Sequence, residues 1–299
     1  MLYNNLSGYL RKKYGTRLKK ICIDGGFSCP NRDGKVGVGG CIFCGERGAG
    51  EHIDENLSIT NQVQKALKDA KEDDKFIVYF QNFTNTYAPV SILKERYDAA
   101  LIDDRIKILA IGTRPDCIDS DVAELIASYK NKVDVWVEMG LQTSNDKTAE
   151  RINRGYKTEK FTEAVSILRE YGIDTVAHMI IGLPGEDKTD ALNTAKYITS
   201  LGVSGIKIHS IYVMKGTRLE GEYKEKRYTP PSLEEYVDIC AEVVSIIPKD
   251  MTIHRLTGDC PKNMLVAPEW NKDKNEIIRL INESLEKKRV SKRELKEQK

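Results

Sequence analysis

The 299-residue chain has no apolar run approaching the ~18 residues that a membrane-spanning helix requires. Its first twenty residues, MLYNNLSGYLRKKYGTRLKK, lack an apolar h-region and a small-residue cleavage site. That excludes a secretory signal and leaves a cytoplasmic location as the expectation. Low-complexity tracts are missing. So is an even set of cysteines: seven, with no secretory context, speak against a disulfide framework. They leave inert core thiols or metal and redox ligands. Nor is there a large excess of one charge, the net being +2. The charge is uneven, however. The first twenty residues carry six basic groups (Arg11, Lys12, Lys13, Arg17, Lys19, Lys20) and no acidic one, and the last fourteen carry seven basic against three acidic. Such ends attract a phosphate backbone by counterion release, although a solvated arm and a frayed helix account for them more simply.

What is present is the make-up of a soluble globular protein, 40% hydrophobic and 31% charged. Short β-branched runs alternate with amphipathic stretches. Strands are expected at Lys20–Asp24, Phe76–Gln81, Ile106–Gly112, Val133–Gly140, Thr175–Gly182 and Gly205–Tyr212. Several of them (FIVYF, IKILAIG, VDVWVEMG) are apolar almost throughout, as parallel strands covered on both faces must be. Helices are expected at Ile59–Lys71, Pro89–Leu101, Ser120–Tyr129, Glu159–Tyr171 and Asp187–Leu201, the last two stopped by Gly172 and Gly202.

Six βα units are too few for a closed eightfold barrel of ~250 residues, so a partial (βα)6 TIM-like barrel with a helical C-terminal extension is the expected α/β fold. The division expected is a basic N-terminal arm (1–19), the partial barrel (20–220) and an extension (221–299) that closes or flanks it. That extension should contain a helix at Ser232–Ile247, a short strand at Met251–Leu256 and a charged final helix.

The segment CPNRDGKVGVGGCIFC spaces three thiols, Cys29, Cys41 and Cys44, as C-x11-C-x2-C directly after the first strand. In a parallel barrel that loop opens on the C-terminal face, where active sites are built. Thiolates so spaced bind zinc or an iron–sulfur cluster. A structural zinc site is closed by four ligands, and no fourth Cys or His lies in the loop. A cubane held by three thiolates keeps one iron open. The alternative is a zinc loop completed by His52 or Cys22.

With this loop at the head of six βα units, the chain resembles the radical S-adenosylmethionine superfamily. Its long spacer is similar to the branch related to the catalytic subunit of Elongator and, within it, to the YhcC/YtqA-type proteins. The resemblance runs through GFSCPNRDG, GGCIFC, FQNFTNTYAP, GTRPDC, VEMGLQT, RINRG, HMIIGLPGE, KIHSIYVMKGTRL and HRLTGD. It implies a [4Fe–4S] cluster on Cys29, Cys41 and Cys44 whose open iron is chelated by S-adenosylmethionine. An electron from the reduced cluster then breaks a carbon–sulfur bond, giving methionine and a 5′-deoxyadenosyl radical. A low-potential donor of the flavodoxin or ferredoxin type is implied as partner.

Residue by residue, the resemblance places Phe43 near adenine and Gln81, Thr84 and Thr86 at the methionine amino group. Ordinary strand-end turn chemistry is the alternative for those three. Glu138 is a lone carboxylate in an apolar strand, costly to bury unless paired. The resemblance gives it the ribose or the amino group, with Gln142 as a weaker neighbour. Arg154 is matched to the cofactor carboxylate, with a surface helix arginine as the alternative. Gly182 and Gly185, in GLPGE, match a region supporting adenine. His178 and His209, on two strands, and Cys117, after the third, are the catalytic candidates, against the reading of satisfied core residues. Arg255, Thr257 and Asp259 face the open side without an assigned role. Cys22, Cys240 and Cys260 read as ordinary thiols.

The implied substrate is a tRNA wobble uridine, its 5-carboxymethylaminomethyl side chain remodelled towards 5-aminomethyl. With no acetyltransferase domain expected after Lys299, Elongator's own acetyl-transfer reaction is not expected. The rival readings are a radical enzyme acting on a small molecule such as a porphyrinogen, and a non-catalytic zinc or electron-transfer protein.

Overall fold

The structure, a computed structural model, describes residues 2–48, 53 and 56–297. Its framework is one seven-stranded sheet, parallel throughout. The strands are β1 (Leu18–Ile23), β2 (Lys75–Phe80), β3 (Ile106–Thr113), β4 (Asp134–Gln142), β5 (Asp174–Ile181), β6 (Gly205–Ser210) and β8 (Thr252–Arg255). Between β6 and β8 in sequence lies β7 (Val213–Met214), which pairs antiparallel with β9 (Leu265–Ala267) in a small second sheet. The partial barrel is thus a curled sheet of six βα strands plus β8, added from the C-terminal third beside β6.

Helices α2 (Ile59–Leu67), α3 (Val90–Ala100), α4 (Ser120–Ser128), α6 (Thr158–Glu170) and α7 (Lys188–Ser200) follow the strands, with a short α5 (Asp146–Arg151) ahead of α6. They bury the outer face of the sheet in a continuous apolar core that includes Val78, Leu109, Val137, Phe161 and Ile208. Side-chain caps fix the helix starts, as at Asp187 and Ser232, where the cap and the third helical residue bond each other's backbone. After α8 (Arg218–Lys224), α9 (Leu233–Ile246) and α10 (Lys274–Glu297) continue the helical layer, α9 packing on α7 and α10 on α9. Lys188 and Lys288 pair with Asp238 and Glu242 across that seam. Among the described residues no helix is long and apolar enough to cross a membrane.

The basic N-terminal segment folds. Asn5 caps α1 (Leu6–Tyr14), its side chain accepting from the Gly8 N–H at 2.8 Å, and Gly15 ends the helix at φ 77°. Arg11, Lys12 and Lys13 lie in the last turn, where cations suit the helix dipole. Leu10 packs inside the curl against Ile77, Ile108, Trp136 and Val176. The Ile253 N–H donates to the Asn4 carbonyl, and Lys75 reaches the Tyr14 carbonyl at 2.8 Å. All these partners lie in the first halves of their strands. The helix therefore plugs the N-terminal end of the half-barrel, and the opposite end is the open mouth.

Candidate active site

The cysteine loop leaves β1 at that mouth. The Cys29 carbonyl accepts from the N–H groups of Arg32 and Asp33 at 2.8 and 3.2 Å, and the Cys44 N–H donates to the Cys41 carbonyl at 3.1 Å. Two neighbouring segments clasp it: the Ile42 N–H donates to the Ile152 carbonyl, and the Leu219 N–H to the Ile42 carbonyl. Phe43 packs against a small apolar cluster with Ile180, Leu183 and Ile211 at the ends of β5 and β6. The thiols interact. A hydrogen bond from Cys41 brings Cys44 down to about 7, with Arg32 and Arg114 assisting against burial. Cys41 rises in return, through that shared proton and its burial. The shared proton thus favours the thiolate at Cys44, the form that ligates soft metals.

Among the described residues no three His, Cys, Asp or Glu side chains stand together as ligands of a single metal ion. Cys22 packs inside the barrel with Leu10 and Tyr79, away from the loop. His52 lies outside the described residues.

Beside the thiols runs the loop after β2. Its Thr84 N–H donates to the Ser28 carbonyl at 3.1 Å, next to Cys29, while the Thr84 hydroxyl is buried without a hydrogen-bond partner. The carbonyl oxygens of the Asn82 and Asn85 side chains are in the same condition. Gln81 continues β2, its N–H facing the Ile23 carbonyl. Thr86 is engaged, bonded to Thr113 at 2.6 Å and to the Cys117 carbonyl at 2.7 Å. Buried oxygens without partners call for an explanation, and a polar ligand at the neighbouring cysteine loop is one that would complete them.

Arg154 has a setting other than the expected one. It is 1% exposed, and its guanidinium donates to the carbonyls of Leu141, Thr143 and Tyr156 and reaches Asp146 and Thr158. Its donors are thus engaged in closing the turn after β4, which leaves none for a cofactor carboxylate. Arg114 is the guanidinium by the cysteines. It forms a two-pronged pair with Asp116 (2.9 and 2.7 Å), donates to the Arg154 carbonyl at 2.9 Å, and lies over the Tyr156 ring. Tyr156 in turn bonds the Gly140 carbonyl, and Gln142 adopts φ 68° just beyond.

Deeper in the barrel, Glu138 is fully buried and also differs from expectation. It accepts from Trp136 Nε1 at 3.0 Å, meets His178 Nε2 at 3.0 Å and pairs with Lys207. Burial pushes its carboxyl up, but Lys207 and His178 outweigh that and hold it well below the usual range. Burial takes Lys207 down to about 7 against the pull of Glu138, and its ammonium lies 4.5 Å from the centre of the Tyr79 ring. With its acceptors facing these groups, Glu138 organises the barrel interior. His209 stands 5.3 Å from His178, ring to ring, its buried Nε2 without a partner. Burial lowers both histidines.

Gly182 serves packing. At φ 93°, a Cβ there would lie 2.7 Å from Pro231 Cδ and 2.8 Å from Ile211 Cγ2. Gly185, at φ 85°, faces open space. Next to it, burial raises Glu186 to about 7 despite bonds from Thr143 and Thr148. The Cys117 thiol is raised to about 12 by burial and by Asp116. Arg255 pairs with Asp259 at 3.6 Å, and Thr257 bonds Ser210 at 3.3 Å. Sequence reasoning passed over Asn31, Arg114, Tyr156 and Lys207. Lys207, a lone charge in the apolar run GIKIHS, carries the same signal that singled out Glu138.

This geometry, a half-barrel with three thiols after its first strand, defines a class, and comparison with known proteins agrees. The radical SAM superfamily model matches residues 31–198, and a radical SAM C-terminal domain matches 203–287. YtqA of Bacillus subtilis is 39% identical over 288 residues, covering 95% of this chain and 89% of YtqA. A tRNA uridine(34) acetyltransferase of Dehalococcoides mccartyi is 29% identical over 163 residues, 53% of this chain and 35% of that protein. Among solved structures, Elp3 of Methanocaldococcus infernus superposes with a TM-score of 0.70 at 19% identity. That match covers 91% of this chain and 63% of the Elp3 chain, and it shows a shared fold.

The chain belongs to the radical S-adenosylmethionine superfamily, in its Elongator-like, YhcC/YtqA-type branch. It is a radical SAM enzyme, and its cofactors are those of the superfamily, a [4Fe–4S] cluster and S-adenosylmethionine. The residues present fit them: a three-cysteine loop in which the Cys44 thiolate is favoured, and the buried Thr84 hydroxyl, which has no partner, on the neighbouring loop.

Proposed function

We propose that Cys29, Cys41 and Cys44 hold the cluster at the barrel mouth and that the enzyme remodels a tRNA wobble uridine, converting its 5-carboxymethylaminomethyl side chain towards 5-aminomethyl. The outer C–N bond breaks, the carboxymethyl carbons leave with water's oxygen as a two-carbon oxo acid, and S-adenosylmethionine, ending as methionine and 5′-deoxyadenosine, is the two-electron oxidant. The observation that carries the substrate is the similarity to a tRNA uridine(34) acetyltransferase over 163 residues. When bound, the cofactor pair supplies a 5′-deoxyadenosyl radical after one electron from the cluster cleaves S-adenosylmethionine.

The chain's own residues prepare the site. Arg32 and Arg114 favour the Cys44 thiolate. Thr84, with its unpartnered hydroxyl, and Gln81 receive the methionine end, while Phe43, Gln142 and the Gly182–Gly185 turn border the adenosine. His178 and His209, their rings 5.3 Å apart in the barrel interior, are the catalytic candidates. A flavodoxin- or ferredoxin-type donor delivers the electron. The exposed Lys35 lies on the cysteine loop and the exposed Arg218 bonds its Gly40 carbonyl, and these two meet the phosphates. The basic face of α1 is at the other end of the barrel.

The test is anaerobic reaction of the reconstituted enzyme, reductant and S-adenosylmethionine with tRNA bearing 5-carboxymethylaminomethyluridine. The expected product is 5-aminomethyluridine, read by nucleoside mass spectrometry. 5′-Deoxyadenosine formed beside an unchanged wobble uridine would refute the tRNA reading and leave the superfamily chemistry intact.

A further inference from the structure

Asn31 lies two residues beyond Cys29 and is fully buried. Its side-chain Nδ2 donates to the Asn153 carbonyl at 2.6 Å and stands 3.9 Å from Cys41 Sγ. The orientation of the amide is settled by chemistry. A carbonyl can face only the NH2 side, so a flipped amide would oppose two oxygens. With one hydrogen on Asn153, the other is directed at the sulfur.

The surroundings keep the amide there. A Cβ on Gly155 would lie 2.8 Å from Asn31 Oδ1, and one on Gly37 closer still, so glycine at both positions makes the space the side chain occupies. Asn153, at φ 54°, returns the contact by donating to the Gly40 carbonyl at 2.7 Å and the Val38 carbonyl at 3.3 Å. The Ile42 N–H bonds the Ile152 carbonyl at 3.0 Å. Cys41 is therefore fastened on both sides to the turn that holds the Asn31 amide.

We infer that Asn31 is a positioning residue that sets the reduction potential of the cluster by aiming a side-chain N–H at the Cys41 thiolate. The inference rests on Cys41 being a ligand. Reduction adds an electron to the cluster and its sulfurs, and hydrogen bonds to those sulfurs are among the determinants of potential. An N–H dipole stabilises the reduced state more than the oxidised one, the more so where water is excluded. Removing the donor must lower the potential.

Full-length wild type, Asn31→Ala and Asn31→Asp are reconstituted anaerobically and titrated with dithionite, the reduced fraction being read by EPR. In variants with a full cluster, the reduced-to-oxidised ratio at the wild-type midpoint is expected to fall about tenfold, a downward shift of ~59 mV for a one-electron couple. Asn31→Asp should fall at least as far, because a carboxylate opposes the added electron. An unchanged midpoint in cluster-loaded variants overturns the inference. Should both variants lose the cluster, the wild type decides. With asparagine side chains labelled with ¹⁵N, pulsed EPR of the reduced cluster should show a coupled nitrogen, and its absence overturns the inference. Wild type that takes up no cluster defeats the ligand assignment as well, a failure distinguishable from the other two.

Discussion

Inside the barrel, Trp136, Glu138, His178 and Lys207 answer one another's hydrogen bonds and charges, whereas at the mouth, by the cysteine loop, Thr84, Asn82 and Asn85 leave buried oxygens unanswered. The two regions belong to one sheet, the interior group on β4, β5 and β6 and the mouth on the loops after β1 and β2. A buried charge survives only when paired, so the interior group is a closed structural unit. Unpartnered buried oxygens are costly in a finished core and are retained where a ligand completes them. The Glu138 group is closed, whereas the mouth presents the unpartnered oxygens that a ligand could complete.

The two regions should part most clearly under mutation at the mouth. Replacing Cys29, Cys41 or Cys44 by alanine is expected to abolish cluster binding and 5′-deoxyadenosine formation to background while the melting temperature of the cluster-free chain barely changes. Iron analysis and calorimetry on the same samples check both halves. A variant that keeps its iron would remove that cysteine from the ligand set.

The interior should behave in the opposite way. Lys207→Met leaves Glu138 buried with only His178 and Trp136, and breaking a buried pair costs ~3–5 kcal/mol. Urea denaturation of the cluster-free protein measures this. A loss below ~1 kcal/mol, the range of an exposed pair, would mean that the interior is not a closed unit.

Glu186 lies at the border between the two regions. Its carboxyl is raised from 4.5 to about 7, chiefly by burial. Between those values the folded chain binds a proton that the unfolded chain does not. The stability associated with it is complete below pH ~4.5 and is lost as pH rises through about 7. Glu186→Gln should therefore stabilise the protein by ~1–3 kcal/mol at pH 8 and change little at pH 4. Equal effects at both pH values would contradict that origin.

The smallest effect is expected at the plugged end. Neutralising Arg11 and Lys12 on α1 should leave tRNA affinity within about twofold and its salt dependence as steep as before. A basic side chain that does neutralise a phosphate would, once removed, weaken binding and flatten that dependence. A large drop in affinity would place the nucleic acid on that end of the barrel.

Much of this architecture was legible in the sequence. The six apolar strands and the helices between them fall within a few residues of expectation, since parallel strands buried on both faces leave an unbroken hydrophobic signature. The thiol loop declared itself by spacing. Helix α1 was hidden because its basic residues suggest a solvated arm, while the features that make it fold, the Asn5 cap and the Gly15 stop, are local and quiet. Arg154 and Glu138 were recognisable as unusual, yet pattern alone does not distinguish a side chain engaged by its own protein from one held for a ligand. That depends on partners distant in sequence: Leu141 and Thr143 carbonyls for one, Lys207 and His178 for the other. Asn31 was invisible for the same reason, its partners Asn153 and Gly155 lying over 120 residues away.

The cysteine loop at the mouth should hold the cluster that starts the radical chemistry. That is tested most directly by anaerobic reconstitution of the full chain, with iron content, EPR of the reduced protein and 5′-deoxyadenosine measured together. The expected result is about four irons per chain, a reduced-cluster signal and reductant-dependent 5′-deoxyadenosine, all lost in Cys41→Ala. A colourless, zinc-loaded protein that leaves S-adenosylmethionine intact would contradict it.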